Sequence, residues 1–241
     1  MRLLLACCCF CLSLSAWSQQ SSWAKKATGF APECNAQKAG ACQPINVPSP
    51  DGKRRIEVRY RKVDGVLSAY LRVIGSDGRA RIAHLVDGSS EILWSPDSKA
   101  FFVNGTIGAT SGYFVRVYRL DSLKPLDPTG QAQRAMIRRF PPCQAKYALD
   151  TCKDVEKDPG YNMSGIDWAS GSSLVVMAEI PCTSWYGGIM CQVMAYELEI
   201  PSGKILYSIS PSQFKEHWQE SMTWEFHIPE PAEYEPLTRE Y

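Results

Sequence analysis

The sequence lacks the motifs by which most hydrolases, metalloenzymes and nucleotide-binding proteins are recognised. It contains no G-x-S-x-G, no H-E-x-x-H and no phosphate-binding glycine loop. The three histidines, His84, His217 and His227, do not fall at metal-ligand spacing. The Asp-Gly pairs lack the ligand spacing of a calcium loop. We therefore expect no catalytic motif residues, no metal and no cofactor.

An excess of charge of either sign is also missing. The chain has 26 Lys and Arg residues against 25 Asp and Glu residues. Nucleic-acid-binding domains usually carry a basic excess or a basic stripe. We therefore expect no nucleic acid among the partners.

Long apolar runs are absent beyond the first residues, where residues 1–18 read as a signal peptide. Arg2 supplies the positive charge, Leu3–Leu14 is almost entirely apolar, and small residues precede a cleavage site after Ser18. The apolar run is shorter than the roughly 20 residues that span a bilayer. This pattern predicts a periplasmic or secreted protein without a transmembrane segment after cleavage. A lipoprotein-type box ending at Cys7 remains an alternative.

The cysteine pattern agrees with export. Six cysteines remain after residue 18, and they fall into three close pairs, none with a C-x-x-C core: Cys34 with Cys42, Cys143 with Cys152, and Cys182 with Cys191. Six cysteines allow 15 connectivities, so proximity favours local bridges without proving them. Each local bridge would close a loop of about ten residues and stabilise the fold by roughly 2.5 kcal/mol.

Repeated turns indicate the architecture. Ser49-Pro50-Asp51-Gly52, Trp94-Ser95-Pro96-Asp97-Ser98 and Trp168-Ala169-Ser170-Gly171 each precede a β-rich run. The first two turns lie 46 positions apart, which is close to the length of one propeller blade. Between them, apolar and polar residues alternate with period two, and Asp-Gly pairs punctuate the strands. The pattern predicts an all-β, propeller-like antiparallel meander with about three blade-type repeats, either a small or an incomplete propeller.

The segments Ser49–Val58 and Trp94–Val103 resemble the propeller repeats of TolB-type periplasmic proteins and of prolyl-oligopeptidase propellers. The resemblance covers roughly Val47–Asp121 well and the third copy loosely, because Trp168–Gly171 lacks the Pro-Asp pair. It implies a blade-type fold and no particular activity. A closed propeller has at least four blades, so three copies leave the closure of the ring open.

The remaining composition divides the chain into four parts. We expect a signal peptide at 1–18, a disulfide-stapled N-terminal segment at 19–47, a propeller-like domain at 48–210 and a final part at 211–241. The domain carries an insertion at 121–163 with a basic stretch that is either helical or strand-like, Arg134–Phe140. The final part combines a short helix, started by Ser210-Pro211-Ser212-Gln213, with an acidic, proline-rich tail.

Two segments are candidate binding surfaces. Trp185 and Tyr186 stand beside two glycines between Cys182 and Cys191, where aromatic side chains on a stapled loop are typical of protein-binding hot spots. Arg138, Arg139 and Tyr147 lie in or beside the insertion. Ordinary packing of the aromatic rings, and a capping role for the insertion, are the alternatives for these segments.

The sequence thus favours an exported, non-catalytic module that binds another envelope or secreted protein, with an inhibitor or immunity protein for a secreted enzyme as one version. A hydrolase with a dispersed site, for example His84 with Thr110 or Ser111, is an alternative. A structural envelope protein is another. Fold alone does not decide among them.

Overall fold

The computed structural model describes residues 23–30, 42–63, 66–87, 90–106, 112–141, 160–181 and 191–223. Side chains at 62–63, 66–68 and 82–87 are outside this description. Cys34, Cys143, Cys152, Cys182, Tyr147, Trp185 and Tyr186 also lie outside the described residues.

The described residues form three antiparallel sheets, which confirms the predicted all-β, propeller-like meander. The first sheet has the order β2-β3-β4-β5, the second β1-β6-β7-β8-β9 and the third β10-β11-β12-β13. The strands are β1 Thr28–Gly29, β2 Ile45–Pro48, β3 Arg54–Val63, β4 Val66–Gly75, β5 Ala80–Asp87, β6 Glu91–Trp94, β7 Ala100–Thr106, β8 Tyr113–Arg119, β9 Pro125–Leu126, β10 Asn162–Ser170, β11 Ser173–Glu179, β12 Val193–Glu199 and β13 Ile205–Ile209. The N-terminal segment contributes strands to two sheets.

The first two of the repeated turns are equivalent at the level of single hydrogen bonds. In the first turn the Ser49 hydroxyl donates to Asp51 Oδ1 (2.6 Å) and accepts from the Arg54 amide (3.0 Å). In the second, the Ser95 hydroxyl donates to Asp97 Oδ1 (2.7 Å) and accepts from the Ala100 amide (3.0 Å). The short serine and aspartate side chains hydrogen-bond backbone groups of the turn that have no partner in the strand pairing. The Ser-Pro-Asp sequence therefore determines this turn without contacts from distant residues.

Tryptophan side chains join each sheet to the one before it. Trp94 Nε1 of the second sheet donates to the Val47 carbonyl of the first sheet (3.0 Å). Trp168 Nε1 of the third sheet donates to the Leu93 carbonyl of the second sheet (3.3 Å). Val47 and Leu93 occupy the same position of the repeat, so the same contact is made twice.

The third sheet is buried on both faces, as the apolar run in β11 predicts. Along this strand Leu174, Val176 and Ala178 belong to the core shared with the second sheet. Val175 and Met177 point to the opposite face and pack in another core. Alternate residues of one strand therefore enter two different cores.

Two helices flank the third sheet. Helix α1, Gly130–Arg139, settles the ambiguity of the basic stretch and buries Ala132 and Met136. Helix α2, Pro211–Trp218, starts at the predicted position with a capping box formed by Ser210 and Gln213. A 3₁₀ turn follows at Gln219–Ser221. Within the described ranges no helix has the length and apolar character needed to cross a membrane.

The outer faces of the first and third sheets differ in chemistry. Phe214, Trp218, Met222 and Trp23 pack on the outer face of the third sheet and cover it with apolar side chains. On the first sheet the corresponding face carries arginines of β3 and β4. The outer face of the third sheet is therefore covered by apolar side chains, and the outer face of the first sheet is charged.

Candidate functional site

The two ends of the sheets differ in the segments that leave them. One end, here called the turn end, holds the three repeated turns described above. At the opposite end, here called the loop end, the chain leaves and re-enters the sheets for 31–41, 64–65, 88–89, 107–111, 142–159 and 182–190. These segments contain Cys34, Cys143, Cys152 and Cys182. The loop end is therefore the candidate site.

The strands β11 and β12 stand immediately before and after the predicted aromatic loop. Their ladder continues beyond the strands, because the Ile180 amide donates to the Gln192 carbonyl and the Cys191 amide donates to the Ile180 carbonyl, both at 2.9 Å. Cys191 is disulfide-bonded, and so is Cys42. The partners of both cysteines lie outside the described residues, so the local pairing stays a prediction, as does the role of Trp185 and Tyr186.

Helix α1 brings Arg138 and Arg139 toward the same end of the third sheet. The helix ends at Arg139, and the carbonyl of the next residue, Phe140, accepts a hydrogen bond from the Tyr161 hydroxyl (2.9 Å). Tyr161 immediately precedes β10, and the first residue of β10 pairs with Glu179, the last residue of β11. Both arginines are exposed. The C-terminal end of α1 and the base of the aromatic hairpin therefore lie at one end of one sheet.

The positive charges of Arg138 and Arg139 affect the pKa of a tyrosine in the third sheet. Burial raises the pKa of the Tyr196 phenol to about 12, and the charges of Arg139 and Arg138 oppose that rise in part. Tyr196 lies on β12, beside the strand that α1 covers. The two guanidinium groups are thus close to the sheet while their exposed surface remains available to a partner.

Two asparagine–glutamate pairs lie beneath the loop end, one buried at Glu91 and one half-buried at Glu179. Asn162 Nδ2 donates to Glu179 Oε2 (3.1 Å), and Asn104 Nδ2 donates to Glu91 Oε1 (2.6 Å). Burial raises the pKa of both carboxyl groups, that of Glu91 to about 7. Clusters of perturbed carboxyl groups are often functional, so the surroundings of each decide the interpretation.

The hydrogen bonds of Glu91 indicate a structural role. Besides Asn104, the carboxylate accepts the backbone amides of Trp23 and Ala24, each at 3.0 Å. Asn104 in turn bonds Gly165 of the third sheet through both its amide nitrogen and its oxygen, at 2.7 Å. Glu91 is 3% exposed. It therefore anchors the N-terminal segment to the junction of two sheets and does not face solvent or a substrate.

The raised pKa of Glu91 predicts a pH dependence of stability. The folded-state pKa of about 7 exceeds the ordinary value of 4.5, so the folded protein retains a proton that the unfolded chain releases. The contribution of this group to the free energy of unfolding is full below about pH 4.5 and falls, by up to about 3 kcal/mol, as the pH rises to about 7. Urea denaturation between pH 5 and pH 8 measures the slope.

Glu91→Gln removes the titrating group, so the difference between its profile and that of the native chain isolates Glu91 from Glu179, whose pKa burial also raises. Glu216→Gln, at an exposed helix position, is the matched control and should keep the native slope. An unchanged slope in Glu91→Gln contradicts the assignment.

The described side chains support neither a metal site nor the dispersed hydrolase site. No three of their His, Cys, Asp or Glu residues converge as a metal site. For the dispersed hydrolase site, Thr110 and Ser111 and the side chain of His84 lie outside the description. That alternative therefore stays a prediction.

The asparagine–glutamate pairs were missed by sequence reasoning. Glu91 opens a four-residue strand, and its backbone partners lie 67 and 68 positions earlier. A glutamate in a short strand that is otherwise apolar is the one signal that could have drawn attention to it.

Among the solved structures that match this chain, two are described here, both at low sequence identity. No family model and no curated protein matches the chain. The β-propeller domain of the Trilobed protease from Pyrococcus furiosus is 12% identical, with a TM-score of 0.40, over 79% of this chain and 45% of that one. Pyrococcus horikoshii acylaminoacyl peptidase is 10% identical, with a TM-score of 0.34, over 65% of this chain and 22% of that one. This chain thus spans less than half of either protein.

Proposed function

We propose that this chain is an exported, non-catalytic module that binds another protein of the bacterial envelope through its loop end. One observation carries the proposal. The base of the aromatic hairpin, with its disulfide-bonded Cys191, and the arginine-bearing end of α1 lie at the same end of a sheet that is buried on both faces. A rigid scaffold that presents loops at one end is a common design for recognition.

The composition of this surface fits a protein partner. Trp185 and Tyr186 supply two residue types that dominate binding energy at interfaces, and Arg138 and Arg139 add a third. Tyr147 belongs to the insertion between α1 and β10. An inhibitor or immunity protein that covers the active site of a secreted enzyme is the concrete version we favour. A structural envelope protein related in role to the TolB-type family is a separate alternative.

The test is affinity capture from envelope extracts, followed by measurement of the affinity for the purified partner. Trp185→Ala with Tyr186→Ala should weaken binding at least about 30-fold, the equivalent of about 2 kcal/mol for a lost hot spot. Arg138→Gln with Arg139→Gln should weaken the same complex, because both surfaces share one end of the sheet.

Tyr207→Ala is the matched control. Tyr207 is 66% exposed in the middle of the edge strand β13, opposite Glu197 and not at the loop end, so its loss should leave the affinity unchanged. Equal affinity of the native chain and the hairpin variant contradicts the assignment of the surface. Absence of any partner, together with hydrolytic activity that His84→Ala abolishes, supports the enzyme instead.

A further inference from the structure

A row of arginines lies on the outer face of the first sheet. Arg55, Arg59 and Arg61 occupy alternate positions of β3, and Arg72 of β4 stands directly opposite Glu57 in the register. Because side chains alternate along a strand and opposed residues share a face, all four arginines lie on one face with Glu57. The row extends over about 20 Å between Arg55 and Arg61.

Glu57 is the single acidic residue among the described side chains of this face, and its carboxylate is already paired with two of the arginines. Glu57 is 7% exposed and accepts from Arg59 Nε (2.6 Å) and Arg72 Nη1 (3.1 Å). The hydrogen bond from Arg59 lowers the pKa of Glu57 despite its burial. Four arginines stand against Glu57 and against Asp87, which pairs with Ser68 of β4, so the excess on this face is +2.

The four guanidinium groups remain accessible. The side chains of Arg59 and Arg72 are 54% and 36% exposed, and Arg55 and Arg61 are exposed residues. The opposite face of this sheet packs in the core that it shares with the second sheet. No described element contributes to a core on the arginine face, whereas α2 covers the outer face of the third sheet.

We propose that the acidic tail of this same chain, residues 224–241, docks on the arginine face of the first sheet. Charge complementarity is the first reason. The tail contains a single arginine, Arg239, and five glutamates, which are Glu225, Glu230, Glu233, Glu235 and Glu240. Five glutamates against one arginine give the tail a formal net charge of −4, opposite in sign to that of the arginine face.

Reach is the second reason. Eighteen residues extend up to about 60 Å beyond Thr223, at about 3.3 Å per residue. Glu230, Glu233 and Glu235 lie 7 to 12 residues beyond Thr223, so an extended chain carries them about 23 to 40 Å from it, a distance comparable to twice the radius of gyration of about 17 Å expected for a chain of this size. Its attachment point is fixed, because the Thr223 amide donates to the Trp23 carbonyl (3.4 Å).

Spacing is the third reason, and it favours the first sheet over helix α1. Pro229, Pro231 and Pro236 exclude a regular helix in the tail. In an extended chain, Glu233 and Glu235 repeat at about 6 to 7 Å, the repeat of Arg59 and Arg61 on β3. Arg138 and Arg139 are adjacent on a helix and do not face the same direction.

The test is arginine footprinting of the full chain with phenylglyoxal, read by peptide mass spectrometry. The native chain is compared with one triple variant, Glu230→Gln with Glu233→Gln and Glu235→Gln. All three substitutions lie in the tail, so the three sheets are unchanged. Labelling of Arg59 and Arg61 should be at least about twofold faster in the variant, because a face covered for half of the time reacts about half as fast. Arg138 and Arg139 are the internal control and should label equally in both.

Salt gives an independent arm. In 1 M NaCl, where the screening length is about 3 Å, the native chain should label Arg59 as fast as the variant does. Equal labelling of the two proteins at low salt overturns the proposal and leaves the face to a separate acidic partner. A change at Arg138 and Arg139 in place of Arg59 and Arg61 overturns it in favour of helix α1. Protection that grows with protein concentration overturns it in favour of the tail of a second copy.

Discussion

Glu91→Ala should lower the free energy of unfolding by about 3 kcal/mol, because three buried donors lose their acceptor and each costs about 1 to 3 kcal/mol when unpaired. The donors are the amides of Trp23 and Ala24 and the side chain of Asn104. Relief of the carboxyl group from burial offsets part of the loss, which keeps the total below the sum of the three. Urea denaturation at pH 7 measures the change.

Hydrogen exchange at individual amides shows where in the chain Glu91→Ala acts. The amides of Trp23 and Ala24 should exchange much faster in Glu91→Ala, because the carboxylate holds both of them. Glu197→Ala, at a half-exposed position of β12, should stay within about 0.5 kcal/mol of the native chain. Stability of Glu91→Ala within that same margin contradicts the anchoring role.

Trp94→Ala should cost about 3 to 5 kcal/mol, the usual range for removal of a large buried aromatic side chain. Trp94 is 5% exposed, contacts Phe101 edge-on at 5.2 Å between ring centroids, and donates to the Val47 carbonyl. The substitution removes packing and the bond between the first two sheets together. Equilibrium denaturation measures the loss.

Trp94→Phe separates the two contributions. It keeps an aromatic ring and removes the indole donor, so the loss should fall to about 1 to 2 kcal/mol. Trp168→Phe is the matched variant at the equivalent position, with a longer bond of 3.3 Å, and should lose no more than Trp94→Phe. Equal losses for Trp94→Ala and Trp94→Phe contradict the packing contribution.

Local chemistry explains which parts of the fold the sequence predicts. The Ser-Pro-Asp turns bond within five residues of themselves, so each turn can be recognised without knowledge of the rest of the chain. The strand Leu174–Ala178 is also predictable, because the run of apolar residues reports burial on both faces. Helix α1 was ambiguous, since ten residues with arginines at several positions carry a weak periodic signal.

Long-range pairing explains what the sequence could not supply. β1 is two residues long and exists through its pairing with β6, more than 60 positions later. Asn104 and Gly165 meet only because two sheets pack together. The alternation of Arg59 and Arg61 with apolar residues is visible in the sequence, but the exposure of that face depends on which sheets have neighbours.

The tryptophan contact between sheets also gives the array a direction. The second and third sheets each donate from a tryptophan to the sheet before them, and the first and second sheets accept at the residue that precedes this position. In the first sheet the donor position is Pro48, which has neither an indole nor a backbone N–H to give. This contact therefore cannot join a further repeat before the first sheet, and the packing of α2 covers the outer face of the third sheet. For the same reason the contact cannot link the first sheet to the third, so a ring of these three sheets cannot be sealed by it.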